Sequence, residues 1–339
     1  MSKRAFLTGV TGFIGNAVAR ELLSHGYAIR ALVRPNSDLR LTQDLPLELV
    51  YGDLRDKASF EDHLKGCNEV YHVAAQYSFY NPNPAMIYES NVTGTQNLFT
   101  ACTQHNIEKI IYTSTVGAIG IPPDGIPGNE KTLLELHECK GHYKRSKFLA
   151  ELEAIKFSKL GLPIVIVNPS APVGVRDAKP TPTGQMIVDF LNRKMPAYLD
   201  TGLNLIDVED VARGHYLASL QGKIGERYIL GNKNLHLKEI LSLLSEITGL
   251  SAPKFKIPFS VALASAYFSE FSAKLLRRPP QIAIEAVQLG RKKMFFDSSK
   301  AIQELALPQT DIKVALQKSV QWYVDNGYVK PKYVQKMIA

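Results

Sequence analysis

The chain has 339 residues with 23 Gly and 19 Pro, and is 45% hydrophobic and 21% charged, ordinary usage that excludes disordered, collagen-like and disulfide-scaffold classes. This length supports one large α/β unit or two joined lobes. Lys plus Arg exceed Asp plus Glu by eight, but they form no runs of five or six, so nucleic acid is not an expected partner.

Cys67, Cys102 and Cys139 form no CxxC pair, and their odd number leads us to expect reduced thiols and a cytoplasmic location. Only three apolar residues follow Lys3 and Arg4 before Gly9, too few for a secretory core. No stretch reaches the ~20 uninterrupted apolar residues of a membrane span; the most lipophilic, 257–276, is broken by Pro258, Glu270 and Lys274.

In chain order, Phe6–Thr8, Ala28–Val33, Leu47–Tyr51, Val70–Ala74, Lys109–Thr113 and Ile164–Asn168 read as six short strands bounded by glycine or polar turns. Between them, Ile14, Val18, Leu22 and Leu23 form one helical stripe ended by Gly26. Leu98, Cys102 and Ile107 belong to another helix, ending near Asn106. This alternation predicts a Rossmann-type, doubly wound parallel sheet covered on both faces. After Asn168 the rhythm breaks at Pro169, Pro172, Pro180 and Pro182. There we expect a smaller mixed α/β C-terminal lobe, with residues 1–170 binding dinucleotide and 171–339 binding substrate, the two partly interleaved. Predicted elements in it are helices Val208–Leu220, Leu237–Thr248, Phe259–Leu276 and Val314–Asn326 and a strand Arg227–Leu230. The lipophilic helix from Phe259 is expected to be packed core or a subunit contact rather than a membrane attachment, since its polar residues are few and not strongly basic.

The first predicted strand runs through Gly9, Thr11, Gly12, Phe13, Ile14 and Gly15 directly into a helix. Glycines here permit a tight turn and close backbone approach, while the helix start offers unpaired N–H groups to a pyrophosphate. Where such folds carry an acid for the ribose hydroxyl, this chain has Arg34, with Arg40 nearby. A guanidinium matches a 2′-phosphate, so the expectation is NADP(H), with NAD(H) as the second option. Asp53, followed by Leu54, lies too far along for the ribose and is expected to meet the adenine amino group.

Tyr143 and Lys147 stand four residues apart at the start of a helical pattern that continues over Phe148–Leu160, so both fall on one helical face. A phenol with an ordinary pKa near 10 is a poor base at neutrality, and a neighbouring ammonium favours its anion. Thr113, Ser114 and Thr115 reach the same sheet edge and provide hydroxyls for a substrate oxygen. The pair Tyr328 and Lys332 is interrupted by Pro331. His137, Cys139 and His142 do not match a zinc spacing, so no metal is expected, and neither GxSxG nor HExxH occurs.

With these residues in place, the chain resembles the extended short-chain dehydrogenase/reductases over nearly its full length. The motifs are Gly9–Gly15, Asp53-Leu54, His72–Ala75, Asn91–Thr95, Thr113–Gly120 and Tyr143–Lys147. Within them it is most similar to the dihydroflavonol-reductase-like branch, and to the hopanoid-associated sugar epimerase group in the runs Gly141–Glu151, Lys179–Gly184, Phe190–Asn192 and Met195–Tyr198. The resemblance implies Thr115, rather than Ser114, as the active hydroxyl, with Tyr143 and Lys147 catalytic. It also implies Lys147 on the nicotinamide ribose, Pro169 facing the cofactor, Leu54, Ala74 and Ala75 in the dinucleotide cleft, and a homodimer through sheet-flanking helices.

Sugar-nucleotide epimerases of this kind carry Arg-x-x-Asn where this chain has Asn168 and Ala171. The leading expectation is therefore an NADP(H)-dependent interconversion of a ketone and a secondary alcohol on a bulky, largely apolar small molecule. The alternatives are a sugar epimerase working by transient oxidation and a non-catalytic nucleotide sensor. Gln76, Tyr77, Tyr80, Thr183 and Met186 are candidate pocket residues.

Overall fold

The computed structural model describes residues 3–77, 83–123, 125–275 and 284–338; Tyr80 lies outside them. Among the described residues the strands are β1 Arg4–Thr8, β2 Ala28–Val33, β3 Leu47–Tyr51, β4 Glu69–His72, β5 Lys109–Thr113, β6 Ile164–Pro169, β7 Ala171–Val173, β8 Ala197–Tyr198, β9 Gly202–Asp207, β10 Arg227–Leu230, β11 Lys233–His236 and β12 Phe255–Lys256. Seven form one sheet in the order β10-β6-β5-β4-β1-β2-β3, with every neighbouring pair parallel.

Both faces of this sheet are dry, so its strands read as continuous apolar runs. Alternate side chains enter opposite layers. Ala5, Leu7, Val165 and Val167 pack with the helices Phe13–Ser24 and Val208–Gln221, while Phe6, Ile164 and Ile166 pack with the helices Gly94–Cys102 and His142–Lys159. The chain winds outward from β1 through β2 to β3 and then crosses to β4 on β1's other side. That reversal opens a crevice at the carboxyl ends of β1 and β4, where ligands bind in such sheets. The expected doubly wound parallel sheet is thus observed.

A smaller, mixed region follows. β7 pairs parallel and β11 antiparallel with β9. A separate core joins the helices Pro182–Leu191, Leu237–Thr248 and Ile312–Asp325. β10 and Val208–Gln221 return to the large sheet. The proline-rich stretch conceals the helix Pro182–Leu191: Pro182 occupies its first turn, and Thr181 caps it by accepting from Gly184 N.

Asp177 anchors this helix to Ile312–Asp325. Its buried carboxylate accepts from Thr181 N and Oγ1 at 2.9 Å and from the Tyr323 hydroxyl at 2.8 Å, and burial moves its pKa upward. Tyr323→Phe removes one donor from this buried acceptor. We expect a loss of about 1–3 kcal/mol in unfolding free energy, measured by urea titration; an unchanged midpoint would mean that the bond adds nothing.

Among the described residues no helix is long and apolar enough to cross a membrane. The lipophilic helix spans Phe259–Leu275, and only one side of it is packed core. Ala262, Ala266 and Ala273 face inward, whereas Tyr267, Phe268 and Phe271 are exposed.

Candidate active site

The glycine turn is shaped by contacts that only glycine allows. Gly9 has φ +82°, and a Cβ there would lie 2.7 Å from Ala74 N; a Cβ on Gly15 would lie 2.0 Å from Gly9 O. Gly12 stands at the start of the helix Phe13–Ser24, which no side chain caps. Its first N–H groups therefore point into the crevice beside Thr11, Phe13 and Ile14, an arrangement that fits a pyrophosphate. Ala74 backs this turn, and Leu54 packs 3.0 Å from where a Cβ on Gly94 would sit.

A hydrogen-bonded chain braces the turn from behind. Ala74 N donates to Thr8 Oγ1, 3.1 Å away, and Thr8 Oγ1 lies 2.8 Å from His72 Nδ1. His72 Nε2 lies 2.9 Å from Thr95 Oγ1, which donates to Asn91 O at 2.7 Å. Since the Thr95 hydroxyl proton is committed to that carbonyl, His72 donates through Nε2 and accepts at Nδ1 from Thr8. The ring is neutral because burial and then the Lys147 charge pull its pKa down to about 3. Asn91 continues the chain: Oδ1 accepts from Gln76 N, and Nδ2 donates to Ser146 Oγ at 2.9 Å. Ser146 Oγ in turn donates to Tyr143 O. His72 and Asn91 were visible as motif members, but only the fold reveals that they connect the glycine turn to the helix bearing Tyr143.

That helix begins at His142, directly after Gly141 at φ +83°. It carries Tyr143 and Lys147 on the face toward the sheet. Lys147 is buried; its Nζ donates to Thr113 O at 2.8 Å and to the Tyr112 hydroxyl at 3.3 Å, and lies over the Tyr112 ring. Tyr143 is half-buried, its ring edge-on to Tyr77 with centroids 4.2 Å apart. Two residues beyond Thr113, Thr115 Oγ1 accepts from Gly117 N while Thr115 O accepts from Asn168 Nδ2 at 3.0 Å. Pro169 is buried at the end of β6.

Electrostatics differ from the sequence expectation. Burial raises the Tyr143 phenol above its usual value and lowers the Lys147 amine to about 8; the amine's donors go to Thr113 and Tyr112 rather than to the phenol. A measurable consequence concerns stability. Unfolded, Lys147 titrates near its ordinary 10.5, so the unfolded chain holds more protons between about pH 8 and 10.5, and stability gains with rising pH there. Relative to Lys147→Met, the wild type should gain up to roughly 3 kcal/mol across that window in urea unfolding. A flat difference would contradict the assigned burial.

Asp53 is engaged by Arg55, Nη2 to Oδ2 at 2.7 Å, which lowers its pKa. Arg34 is exposed at the end of β2 and Ala75 is exposed beyond β4. Arg40 closes its guanidinium on Asp38, 2.7 Å apart. Thr183 and Met186 lie in the separate helix Pro182–Leu191. Among the described residues no three His, Cys, Asp or Glu side chains gather as a metal site.

A pyridine-nucleotide crevice beside a tyrosine and a lysine defines an NAD(P)-dependent oxidoreductase acting on CH–OH groups. The chain belongs to the NAD dependent epimerase/dehydratase family, whose model matches residues 5–231. It is 46% identical to a Synechocystis sp. protein provisionally named dihydroflavonol 4-reductase, over 96% of each chain. It is 32% identical to sterol demethylase protein B of Methylococcus capsulatus, over 95% of this chain and 99% of that one. The crystal structure of gox2253 superposes with a TM-score of 0.87 at 42% identity, covering 97% of this chain and 100% of that one.

The expected NADP(H) preference is corrected by the solved relatives. UDP-glucuronic acid 4-epimerase from Bacillus cereus (20% identical, covering 96% of this chain and 99% of that one, TM-score 0.74) holds NAD. So does UDP-glucose 4-epimerase from Thermus thermophilus (21%, 95% and 99%, 0.74). Within this chain Arg40 is already paired with Asp38, and in NAD neither Arg34 nor Arg40 has a 2′-phosphate to meet.

Proposed function

We propose that this enzyme performs net interconversion of a ketone and a secondary alcohol on a bulky, largely apolar ring compound, with residues 1–170 holding the nucleotide and 171–339 the substrate. The observation that carries this reading is Asn168. It stands where the sugar-nucleotide epimerases carry an arginine, and it is fully buried and turned inward. Its Nδ2 donates to Thr115 O and to Glu151 Oε2 at 2.7 Å. Ala171, at the second anchor position, has no amide to offer a sugar nucleotide.

The names of relatives support the same substrate class. One is the Synechocystis protein, one the Methylococcus sterol demethylase component, and a third, 28% identical, is a ketoreductase of Stigmatella aurantiaca acting on a farnesyl-bearing dihydroquinoline oxide. The proposed branch is the dihydroflavonol-reductase-like one, and the hopanoid-associated group its narrower assignment.

Nicotinamide supplies or accepts the hydride when bound. In the reduction direction Tyr143 gives its proton to the substrate oxygen, Thr115 holds that oxygen by a hydrogen bond, and Lys147 keeps a positive charge beside the phenolate that forms. The braced glycine turn fixes the nucleotide relative to the tyrosine helix.

A panel of ring ketones, including flavonoid and sterol ketones, should oxidise reduced nicotinamide one for one with alcohol formed. If instead a nucleotide sugar is inverted with the cofactor regenerated and no ketone is consumed, the epimerase reading replaces this one.

A further inference from the structure

The helix Phe259–Leu275 is amphipathic in an unusual sense. Its inward face carries Ala262, Ala266 and Ala273, at 0–6% exposure, with Phe259 and Leu263 packed beside the first two, while Val261, Tyr267, Phe268 and Phe271 face outward. At 100° per residue Val261, Tyr267, Phe268 and Phe271 share roughly 120° of arc. All are at least half exposed, Phe268 to 74%, and Phe255 on β12 is exposed to 73%. Single exposed hydrophobes are common on proteins, but a contiguous aromatic stripe marks a surface with a partner.

Charge identifies the partner. Residues 251–295 contain eight Lys or Arg and two Asp or Glu, so six of the chain's eight net positive charges fall within them. Several lie near the helix start. Lys254 and Lys256 flank Phe255, and the Arg291 guanidinium lies 5.7 Å over the Phe259 ring. Lys292 and Lys293 follow it, both exposed. Asp200 pairs with Lys256 at 2.7 Å, and Glu138 lies 3.8 Å from Lys292, leaving this cluster basic. A second copy of the chain applied through the same face would bring two such clusters together, an unfavourable juxtaposition. An anionic bilayer instead takes aromatic side chains into its interfacial layer and basic ones against its headgroups.

We propose that this face docks on an anionic lipid surface, with the helix lying in the interfacial plane. The experiment is co-sedimentation of the full chain with phosphatidylglycerol-containing vesicles and with vesicles of phosphatidylcholine alone. The wild type is expected to sediment with the anionic vesicles and to be released at about 1 M salt, where the Debye length is ~3 Å. The double variant Phe268→Glu/Phe271→Glu should lose at least about tenfold in vesicle affinity, and Lys292→Glu/Lys293→Glu about tenfold toward anionic vesicles only. Both variants should keep the wild-type unfolding midpoint and NAD affinity, showing that the fold is intact. The proposal is overturned if the wild type ignores anionic vesicles, or if the aromatic variant binds them as tightly. A wild type that ignores vesicles but is converted from dimer to monomer by the aromatic substitutions, measured by light scattering, would instead assign the face to a second copy.

Discussion

Tyr143→Phe should lower kcat by about 10²–10⁴-fold while leaving the dissociation constant for NAD within about threefold. Removal of one oxygen keeps the ring against Tyr77, and Lys147 retains its contacts because they go to Thr113 O and Tyr112 rather than to the phenol. The lost group is thus the proton donor alone. Since burial holds the phenol protonated well past neutrality, the wild type should reduce ketone best at neutral and lower pH. Alcohol oxidation, which needs a proton acceptor, should accelerate as pH rises. Steady-state rates in both directions, with NAD binding followed by calorimetry, check this. Full turnover in the phenylalanine variant would remove Tyr143 from the chemistry.

Gly15→Ala should weaken NAD by about 100-fold, on the order of 3 kcal/mol. The added methyl would lie 2.0 Å from Gly9 O and 2.5 Å from Gly9 C, so the turn must open. Gly9 cannot accommodate it, being held at φ +82° against Ala74 N, which the Thr8–His72–Thr95 chain fixes in turn. Gly26→Ala is the matched control: it too has positive φ, +77°, but nothing within 4 Å of the added methyl. It should cost about 1 kcal/mol of stability with NAD affinity unchanged. Equal NAD binding by the Gly15 variant would mean that the turn does not seat the pyrophosphate.

Features carried by neighbours in the chain are legible in the amino-acid order itself. Parallel strands buried on both faces are short apolar runs, as Ile164–Val167 shows in β6. A tight turn between strand and helix demands glycine at Gly9 and Gly15, and the four-residue interval between Tyr143 and Lys147 places both on one face of a helix of 3.6 residues per turn. Such signals are local, so the amino-acid order alone specifies them.

The tertiary structure decided whatever depends on partners distant in the chain. β7 is three residues long and exists through pairing with β9, over thirty residues later; no periodicity can build up in so short a segment. The orientation of Phe259–Leu275, aromatic side out, depends on what packs against its alanines. Asn168 could have pointed toward a substrate, but Glu151 and Thr115 turn it inward. Lys147 lies about one helical turn beyond Tyr143, yet its amine is committed to Thr113 and Tyr112. In each case a side chain chooses among partners that only folding brings within hydrogen-bond or van der Waals reach, and that choice is settled by desolvation and geometry rather than by residue type.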